Sequence, residues 1–153
     1  MLTKTTESAI QTLLYLVLAK RPEPVPPRQI AEALGLSPSY LSKINNLLVK
    51  ANILRAHRGA QGGVTLARRA GEINLLSIVE ACQGQVVGDY CREVSDRRQV
   101  CAFHAAMLEV HEALLRILSK WTLADLAAAP APRRRKHQHL CRMANVCAGS
   151  GHP

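Results

Sequence analysis

The stretch "IAEALGLSPSYLSKINNLLVKANILRAHRGAQGGVTLAR", residues 30–68, determines the fold of this chain. Ser37 is a good N-cap and Pro38 suits the first helical position, where its missing N–H costs nothing, so a helix is predicted over 38–50. A short helix over 27–34 precedes it, and a glycine allows the tight turn between the two. A helix, a glycine turn and a capped helix together form the helix-turn-helix layout.

The helix predicted over 38–50 has an apolar side and a polar side. The apolar side consists of Leu41, Ile44, Leu47 and Leu48, which recur at helical spacing and are expected to be buried. The residues expected on the other side are Ser39, Tyr40, Ser42, Lys43 and Asn46. A small, polar outer face of this kind is what a recognition helix presents to DNA.

Two short strands are predicted directly after this helix, over 53–57 and 63–67. The segment "RGAQG" connects them, with Arg58 at the tip and glycines supplying the turn conformations. Taken alone, such a segment is also common in plain hairpin turns. A hairpin that follows a recognition helix is a wing, and its basic tip can enter a minor groove or lie on phosphate.

The distribution of charge indicates a polyanionic partner. The formal net charge is +9, and residues 33–71 contain no Asp or Glu. The basic residues of this acid-free window are Lys43, Lys50, Arg55, Arg58, Arg68 and Arg69. A one-signed window beside mixed-charge flanks is typical of a nucleic-acid surface, although a basic solvated face is the alternative.

Composition favours a helical domain in the cytoplasm. The 153 residues fit one domain, and with 48 % apolar but only 3 % aromatic residues the core must be aliphatic, which suits packed helices. The longest apolar run, "LLYLVLA" at 13–19, is too short to span a bilayer and lacks the flanks of a signal peptide. The predicted fold class is therefore mainly α with a small β-hairpin wing, with no membrane partner.

Two further helices are predicted on either side of this block. One covers 4–19, capped by Thr5 or Thr6, and the prolines of "RPEPVPP" end it. The other covers 74–82 and is capped by Asn74.

A long helix is predicted from 100 to 121, followed by a short capped turn at "TLADL", residues 122–126. Its apolar residues recur at spacings of four and three, the a/d pattern of a helix–helix seam. The seam residues are Phe103, Met107, Val110, Leu114, Ile117 and Trp121. Because leucines add a second apolar side, this helix is expected to pack on its own domain and on a second copy, which predicts a homodimer.

The stretch "YCREVSDRRQVCAFH", residues 90–104, carries the candidate sensor chemistry. Cys101 and His104 are three residues apart in a helix, so their side chains share a face, and Cys91 lies on the preceding loop. Five cysteines without a secretory signal argue against a disulfide framework and favour metal or redox chemistry. Cys82, on an apolar helix, is predicted to be a small buried hydrophobic residue.

Together, the opening "LTKTTESAIQTLLYL", the block from residue 30 to 68 and "TLADL" resemble the bacterial Rrf-type winged-helix transcription regulators over about residues 1–126. The resemblance implies a homodimer that binds double-stranded DNA at a near-palindromic operator. The helix 38–50 would enter the major groove, and the wing around Arg58 would enter the minor groove. The predicted DNA contacts are Arg28, Ser37, Ser39, Tyr40, Ser42, Lys43, Asn46, Arg58 and Gln61.

The same resemblance gives a ligand set for an iron–sulphur cluster. Cluster-binding members carry three cysteines before the long helix, and some have a histidine three residues after the last one. Cys91, Cys101 and His104 match, the middle cysteine is absent, and Glu7 of the partner subunit matches an acidic ligand. Two cysteines, one imidazole and one carboxylate suit a labile 2Fe–2S cluster better than a 4Fe–4S cluster.

Three alternatives to the cluster stay open. Zinc accepts Cys, Cys, His and Glu or water in a tetrahedron at similar spacing. A thiol switch would pair Cys91 with Cys101, or Cys141 with Cys147. In the third alternative, the candidate cluster ligands are degenerate remnants without a sensing role.

The predicted function is a DNA-binding transcription regulator, most simply a repressor, that senses redox, iron–sulphur or nitric oxide status. The predicted organisation is a DNA-binding domain over 1–82, a sensor loop over 83–99, a dimerisation helix over 100–126 and a basic tail over 127–153. The alternative is a cluster-free winged-helix regulator that uses a thiol or zinc switch or binds a metabolic enzyme. Catalysis is not expected, because no metal-paired Glu, phosphate loop or Ser/His/Asp set is present.

Overall fold

The computed structural model describes residues 2–59, 62–86 and 100–128. In chain order the elements are α1 (Lys4–Ala19), α2 (Pro27–Leu34), α3 (Pro38–Lys50), β1 (Leu54–His57), β2 (Gly63–Leu66), a 3-10 turn (Ala70–Glu72), α4 (Leu75–Gln83), α5 (Ala102–Lys120) and α6 (Leu123–Ala128). The predicted helical fold with a β-hairpin wing is confirmed. No helix within the described ranges has both the length and the apolar character needed to cross a bilayer.

Helix α3 is held in place through its apolar side. Leu41, Ile44 and Leu48 are fully buried and join the core that α1, α2 and α4 also build. Leu47, which was expected in the buried face, is only half-buried. Asn45 is buried in its place, so the inner face of α3 is rotated slightly from the one predicted.

The cap of α1 is Thr3, so the prediction of Thr5 or Thr6 is wrong. Thr3 has extended backbone angles, and its hydroxyl oxygen accepts a hydrogen bond from the Thr6 N–H at 3.2 Å. Thr5 and Thr6 therefore lie inside the first helical turn. The hydroxyl of Thr6, which is fully buried, makes tertiary contacts instead of capping the helix.

The wing is a two-stranded antiparallel hairpin that a third segment supports. β1 pairs with β2 in a register that places Leu54 opposite Leu66. Val25, between α1 and α2, forms a bridge with Val64, with two backbone hydrogen bonds of 3.0 Å. A Cβ on Gly63 would lie 2.5 Å from the carbonyl oxygen of Val25, so this close approach requires glycine.

Helix α4 links the helix-turn-helix to α5. It packs against α1, α3 and α5, and Asn74 caps it as predicted by accepting a hydrogen bond from the Ser77 N–H at 2.9 Å. Asn74 also pairs with Thr122, which places α6 against α1 and the 3-10 turn. Helix α5 begins at Ala102 with Cys101 as its N-cap residue, so it is slightly shorter than predicted.

Asn45 is expected to reduce the stability of the domain. Its amide nitrogen and oxygen are both buried, and neither has a hydrogen-bond partner in the described part of the chain. An unpaired buried amide is costly, and leucine has a similar size without polar atoms. Asn45→Leu is therefore expected to raise the free energy of unfolding by about 1–3 kcal/mol in urea melts.

The matched control is Asn46→Leu, because Asn46 is the exposed neighbour on the same helix and should leave the midpoint nearly unchanged. A lower urea midpoint for Asn45→Leu would contradict the account of Asn45 as an unpaired amide.

A pH dependence is expected from the cap of α6. The carboxylate of Asp125 accepts hydrogen bonds from the Thr122 hydroxyl at 2.7 Å and from its N–H at 2.9 Å, and these bonds hold the pKa of Asp125 below its ordinary value of 3.8. The stabilisation is then present above the unfolded pKa and is lost as pH falls through the folded pKa. In thermal melts at pH 7, wild type should have a higher melting temperature than Asp125→Asn, and the difference should shrink below about pH 4. A difference in melting temperature that stayed constant from pH 7 to below about pH 4 would contradict this role of the Asp125 carboxylate.

Candidate nucleic-acid interface and metal site

The polar side of α3 is open to solvent at four of its five predicted positions. Ser39, Ser42, Lys43 and Asn46 are exposed, because the opposite side of the helix faces the core. Tyr40 differs, since its ring is half-buried against the core and its hydroxyl donates to the Thr5 hydroxyl oxygen at 3.4 Å. Through this hydrogen bond, Tyr40 also connects the start of α3 to α1.

The N-terminus of α3 borders a shallow cleft in which Lys4 also takes part. Ser37 caps α3 by accepting a hydrogen bond from the Tyr40 N–H at 3.3 Å. Lys4 lines the same cleft of about 320 Å³ with Ser37 and Tyr40. A cation and hydroxyl groups at the positive end of a helix suit a backbone phosphate. Sequence reasoning missed Lys4, because only the tertiary packing of α1 against α3 brings it to this position.

The tip of the wing carries an exposed Arg58, as predicted. Next to it, the His57 ring lies 2.9 Å from the Thr65 hydroxyl through Nε2, a cross-strand hydrogen bond that steadies the base of the tip. Gln61, another predicted DNA contact, lies outside the described residues.

The acid-free window presents most of its charge on the surface. Five of its six basic residues are exposed, whereas Arg68 is half-buried and donates to the Asn52 carbonyl oxygen at 3.2 Å. Arg28 forms an exposed ion pair of 2.8 Å with Glu32. Such a pair is weak, so the Arg28 guanidinium remains available to a phosphate. The surface around α3 and the wing is therefore strongly positive.

Cys101 and His104 form the part of the candidate metal site that the structure describes. The Cys101 sulfur lies 3.2 Å from the Nδ1 atom of His104, at the exposed N-terminus of α5. Two ligands of one tetrahedral metal, one sulfur and one imidazole nitrogen, would be about 3.5 Å apart. The pair therefore fits a shared metal ion after a small side-chain rotation, although Cys101 precedes the first helical turn rather than lying in it.

Within the described ranges, no third predicted ligand joins this pair. Among the described residues, no group of three or more metal-binding side chains occurs. Cys91 lies outside the described residues, as do Cys141 and Cys147, and Glu7 lies in the first turn of α1. A complete ligand set therefore needs the loop that carries Cys91 and a further group such as Glu7 of the partner subunit.

Cys82 is a poor candidate for a ligand. It is half-buried at the end of α4, and burial raises the pKa of its thiol while a hydrogen bond with Thr6 offsets this effect only in part. A metal ligand must be a thiolate, which this environment disfavours. Its partial burial broadly agrees with the prediction of an apolar packing role.

Helix α5 leaves its predicted seam uncovered. None of its residues is buried within the chain, and the side chain of Phe103 is 61 % exposed. The other large exposed side chains of the seam are Val110, Ile117 and Trp121, while Met107 and Leu114 are half-buried. A row of exposed apolar side chains at a/d spacing is suited to a second helix.

The family is decided by a sequence comparison. Residues 2–129 match the family model Rrf2, described as "Iron-dependent Transcriptional regulator". The chain belongs to the Rrf2 family. It is 34 % identical over 129 residues to the transcriptional regulator NsrR of Geobacillus kaustophilus, covering 82 % of this chain and 88 % of that protein. It is 28 % identical to the transcriptional repressor NsrR of Streptomyces coelicolor, covering 84 % and 89 %.

Solved structures of the family have the same fold. CymR, the global cysteine regulator of B. subtilis, matches with a TM-score of 0.70 and 22 % identity, covering 84 % of this chain and 96 % of that one. IscR of T. potens matches with a TM-score of 0.67 and 25 % identity, covering 85 % and 88 %. The predicted winged-helix fold and the predicted family are thus confirmed. The relatives are transcription regulators, which confirms the expectation of a regulator rather than an enzyme.

Lys4 and Lys43 are expected to affect DNA binding in different ways. Lys4→Ala should lower the slope of log affinity against log salt by about 0.9 for each phosphate that the variant no longer neutralises, equally on all sequences. Lys43→Ala should cost about 1–3 kcal/mol on the preferred site and reduce discrimination at one base position.

Anisotropy titrations over a salt series, on the preferred site and on a scrambled duplex, measure both effects. Lys120→Ala is the control, since Lys120 is an exposed lysine at the far end of α5. Wild-type slope and affinity for both variants would refute the placement of DNA on this surface.

Proposed function

We propose that this protein is a homodimeric, sequence-specific DNA-binding regulator of transcription, most simply a repressor, that binds a near-palindromic operator in the cytoplasm. The observation that carries the proposal is the exposed polar side of α3, which lies beside the wing on a surface free of acidic residues between positions 33 and 71. Helix α3 would enter the major groove, and Arg58 would enter the flanking minor groove.

The homodimer is supported by the uncovered seam of α5. Phe103 and Ile117 are 61 % and 51 % exposed in the isolated chain, and exposed apolar side chains at a/d spacing favour association. Packing of α5 against its copy would fix the distance between two recognition helices. That distance must be close to one helical turn of DNA, about 34 Å, for both to reach successive major grooves.

The signal is proposed to be the state of an iron–sulphur cluster, with 2Fe–2S favoured. The ligands would be Cys91, Cys101, His104 and Glu7 of the partner subunit. The 3.2 Å contact between Cys101 and His104 supports this, and so does the description of the family as iron-dependent. A cluster held by these four residues would link the two subunits, and its carboxylate ligand would leave it open to removal by oxidants or nitric oxide.

The chain's own residues explain how this signal reaches DNA. Cys101 and His104 start α5, so ligation fixes the first turn of the helix that forms the dimer seam. Glu7 lies in the first turn of α1, which contacts the recognition helix of its own chain through Thr5 and Tyr40. Holding both turns together would set the angle between the two α3 helices.

The cluster is tested by anaerobic purification, a visible absorption spectrum, and iron and sulfide counts. Wild type is expected to be brown with about two irons and two sulfides per chain. Cys91→Ala and Cys101→Ala should be colourless, and His104→Ala should have an altered spectrum and lose iron faster. His111→Ala is the matched control, since His111 is a half-buried histidine two turns further along α5.

Two results would contradict the cluster. A wild-type protein that stays colourless after reconstitution with iron and sulfide would refute it, and metal analysis would then separate zinc from a thiol switch. Normal cluster content in Cys101→Ala would refute this ligand set.

A further inference from the structure

Gln83 connects the end of α4 to the start of α1. It is the last residue of α4, and Gly84, with a φ of 80°, ends the helix ahead of the segment that carries Cys91 in the sequence. Its side-chain oxygen accepts a hydrogen bond from the Thr3 N–H at 3.2 Å and another from the Thr6 hydroxyl at 2.9 Å. These three residues, Thr3, Thr6 and Gln83, are called the latch below.

The latch joins Gln83, which is exposed at the end of α4, to the buried hydroxyl of Thr6 in α1. The Thr6 side chain is fully buried, and its oxygen lies 2.9 Å from the Thr3 hydroxyl. The amide oxygen of Gln83 has two lone pairs, and the two donors from α1 occupy both. A displacement of the end of α4 must therefore carry the first turn of α1 with it or break both bonds.

The first turn of α1 is also in contact with the recognition helix. Thr5, between the two threonines of the latch, accepts a hydrogen bond from the Tyr40 hydroxyl at 3.4 Å. Tyr40 lies in the first turn of α3, where its N–H is bonded to Ser37. A continuous series of contacts thus runs from Gln83, the first residue of the predicted sensor loop, through α1, to the end of α3 that carries the predicted DNA contacts.

We propose that Gln83 is a positioning residue that couples the sensor loop to the recognition helix of the same subunit through the first turn of α1. In its application to sensing, this inference rests on the proposed function. The first turn of α1 then receives two inputs, one from its own loop through Gln83 and one from the partner's loop through Glu7. The competing route is direct packing of α4 on α3, through buried residues such as Ile78 and Val79.

Two variants of Gln83 separate these routes. Gln83→Leu removes the acceptor oxygen while keeping the size of the side chain, so the latch is lost and the packing of α4 is kept. Gln83→Glu keeps an acceptor oxygen near the N-terminus of α1, where a negative charge is favourable, and should preserve the latch. Neither variant changes a predicted ligand or DNA-binding residue, so cluster content and non-specific DNA binding should match wild type in both.

The first readout is the ratio of operator affinities of the cluster-bound and cluster-free proteins. Because two hydrogen bonds are lost, Gln83→Leu should reduce this ratio about tenfold relative to wild type, while Gln83→Glu keeps it. An unchanged ratio in Gln83→Leu, with wild type responsive, would overturn the coupling and leave the proposed function standing. If the affinity ratio fell in both variants, any change at position 83 would disturb the coupling. That result would also overturn the role of the acceptor oxygen.

The second readout needs no cluster and keeps the two proposals distinguishable. Amide hydrogen exchange in the cluster-free protein should be about fivefold faster in Gln83→Leu than in Gln83→Glu, both at the start of α1 and at residues 40–43 of α3, with the wing unchanged. Faster exchange confined to α1 would refute transmission to α3. If wild type proves colourless, the proposed cluster fails, and this measurement alone decides whether Gln83 couples α4 to the recognition helix.

Discussion

The structure depends on a single constraint, which is that α3 must bury one side and leave the other side free. Leu41, Ile44 and Leu48 are fully buried, and this packing sets both the rotation of α3 and the direction in which its polar side faces. The wing follows α3 after a short turn and is held to the domain by the bridge between Val25 and Val64. If the apolar side of α3 were loosened, the recognition surface and the wing would lose their common orientation.

The second level of organisation is the central position of α4. It packs against α1, α3 and α5, and its two ends are fixed by different means. Backbone hydrogen bonds between residues 73–75 and 121–123 hold its N-terminus, whereas the side chain of Gln83 holds its C-terminus. The C-terminal end of α4 is therefore held to α1 by side-chain hydrogen bonds, which are easier to break and reform than a backbone ladder.

Most of the fold could be predicted because local signals in this sequence agree with the tertiary structure. Ser37 and Asn74 fix helix starts by capping, Pro38 suits the first position of α3, and the glycines around Arg58 fix the wing. The cap of α1 was misplaced because Thr3, Thr5 and Thr6 are equally good caps in sequence, and only the fold gives Thr6 another partner. The burial of Asn45, the place of Lys4 and the latch of Gln83 arise from contacts between distant segments, which no local pattern encodes. Of the candidate metal site, only the contact between Cys101 and His104 could be predicted locally, because the other proposed ligands, Cys91 and Glu7 of the partner subunit, lie in distant segments.

The central claim is that operator affinity depends on a cluster held at the start of α5. Its most direct test is an anaerobic operator titration of one wild-type preparation, before and after the iron is removed by a chelator or by nitric oxide, with iron counted in both samples. The account predicts that the two affinities differ by about tenfold or more, since a useful switch requires a coupling of roughly 1–3 kcal/mol. Equal affinities in samples that differ in iron content would contradict it, because the protein would then bind DNA without regard to the state of Cys101 and His104.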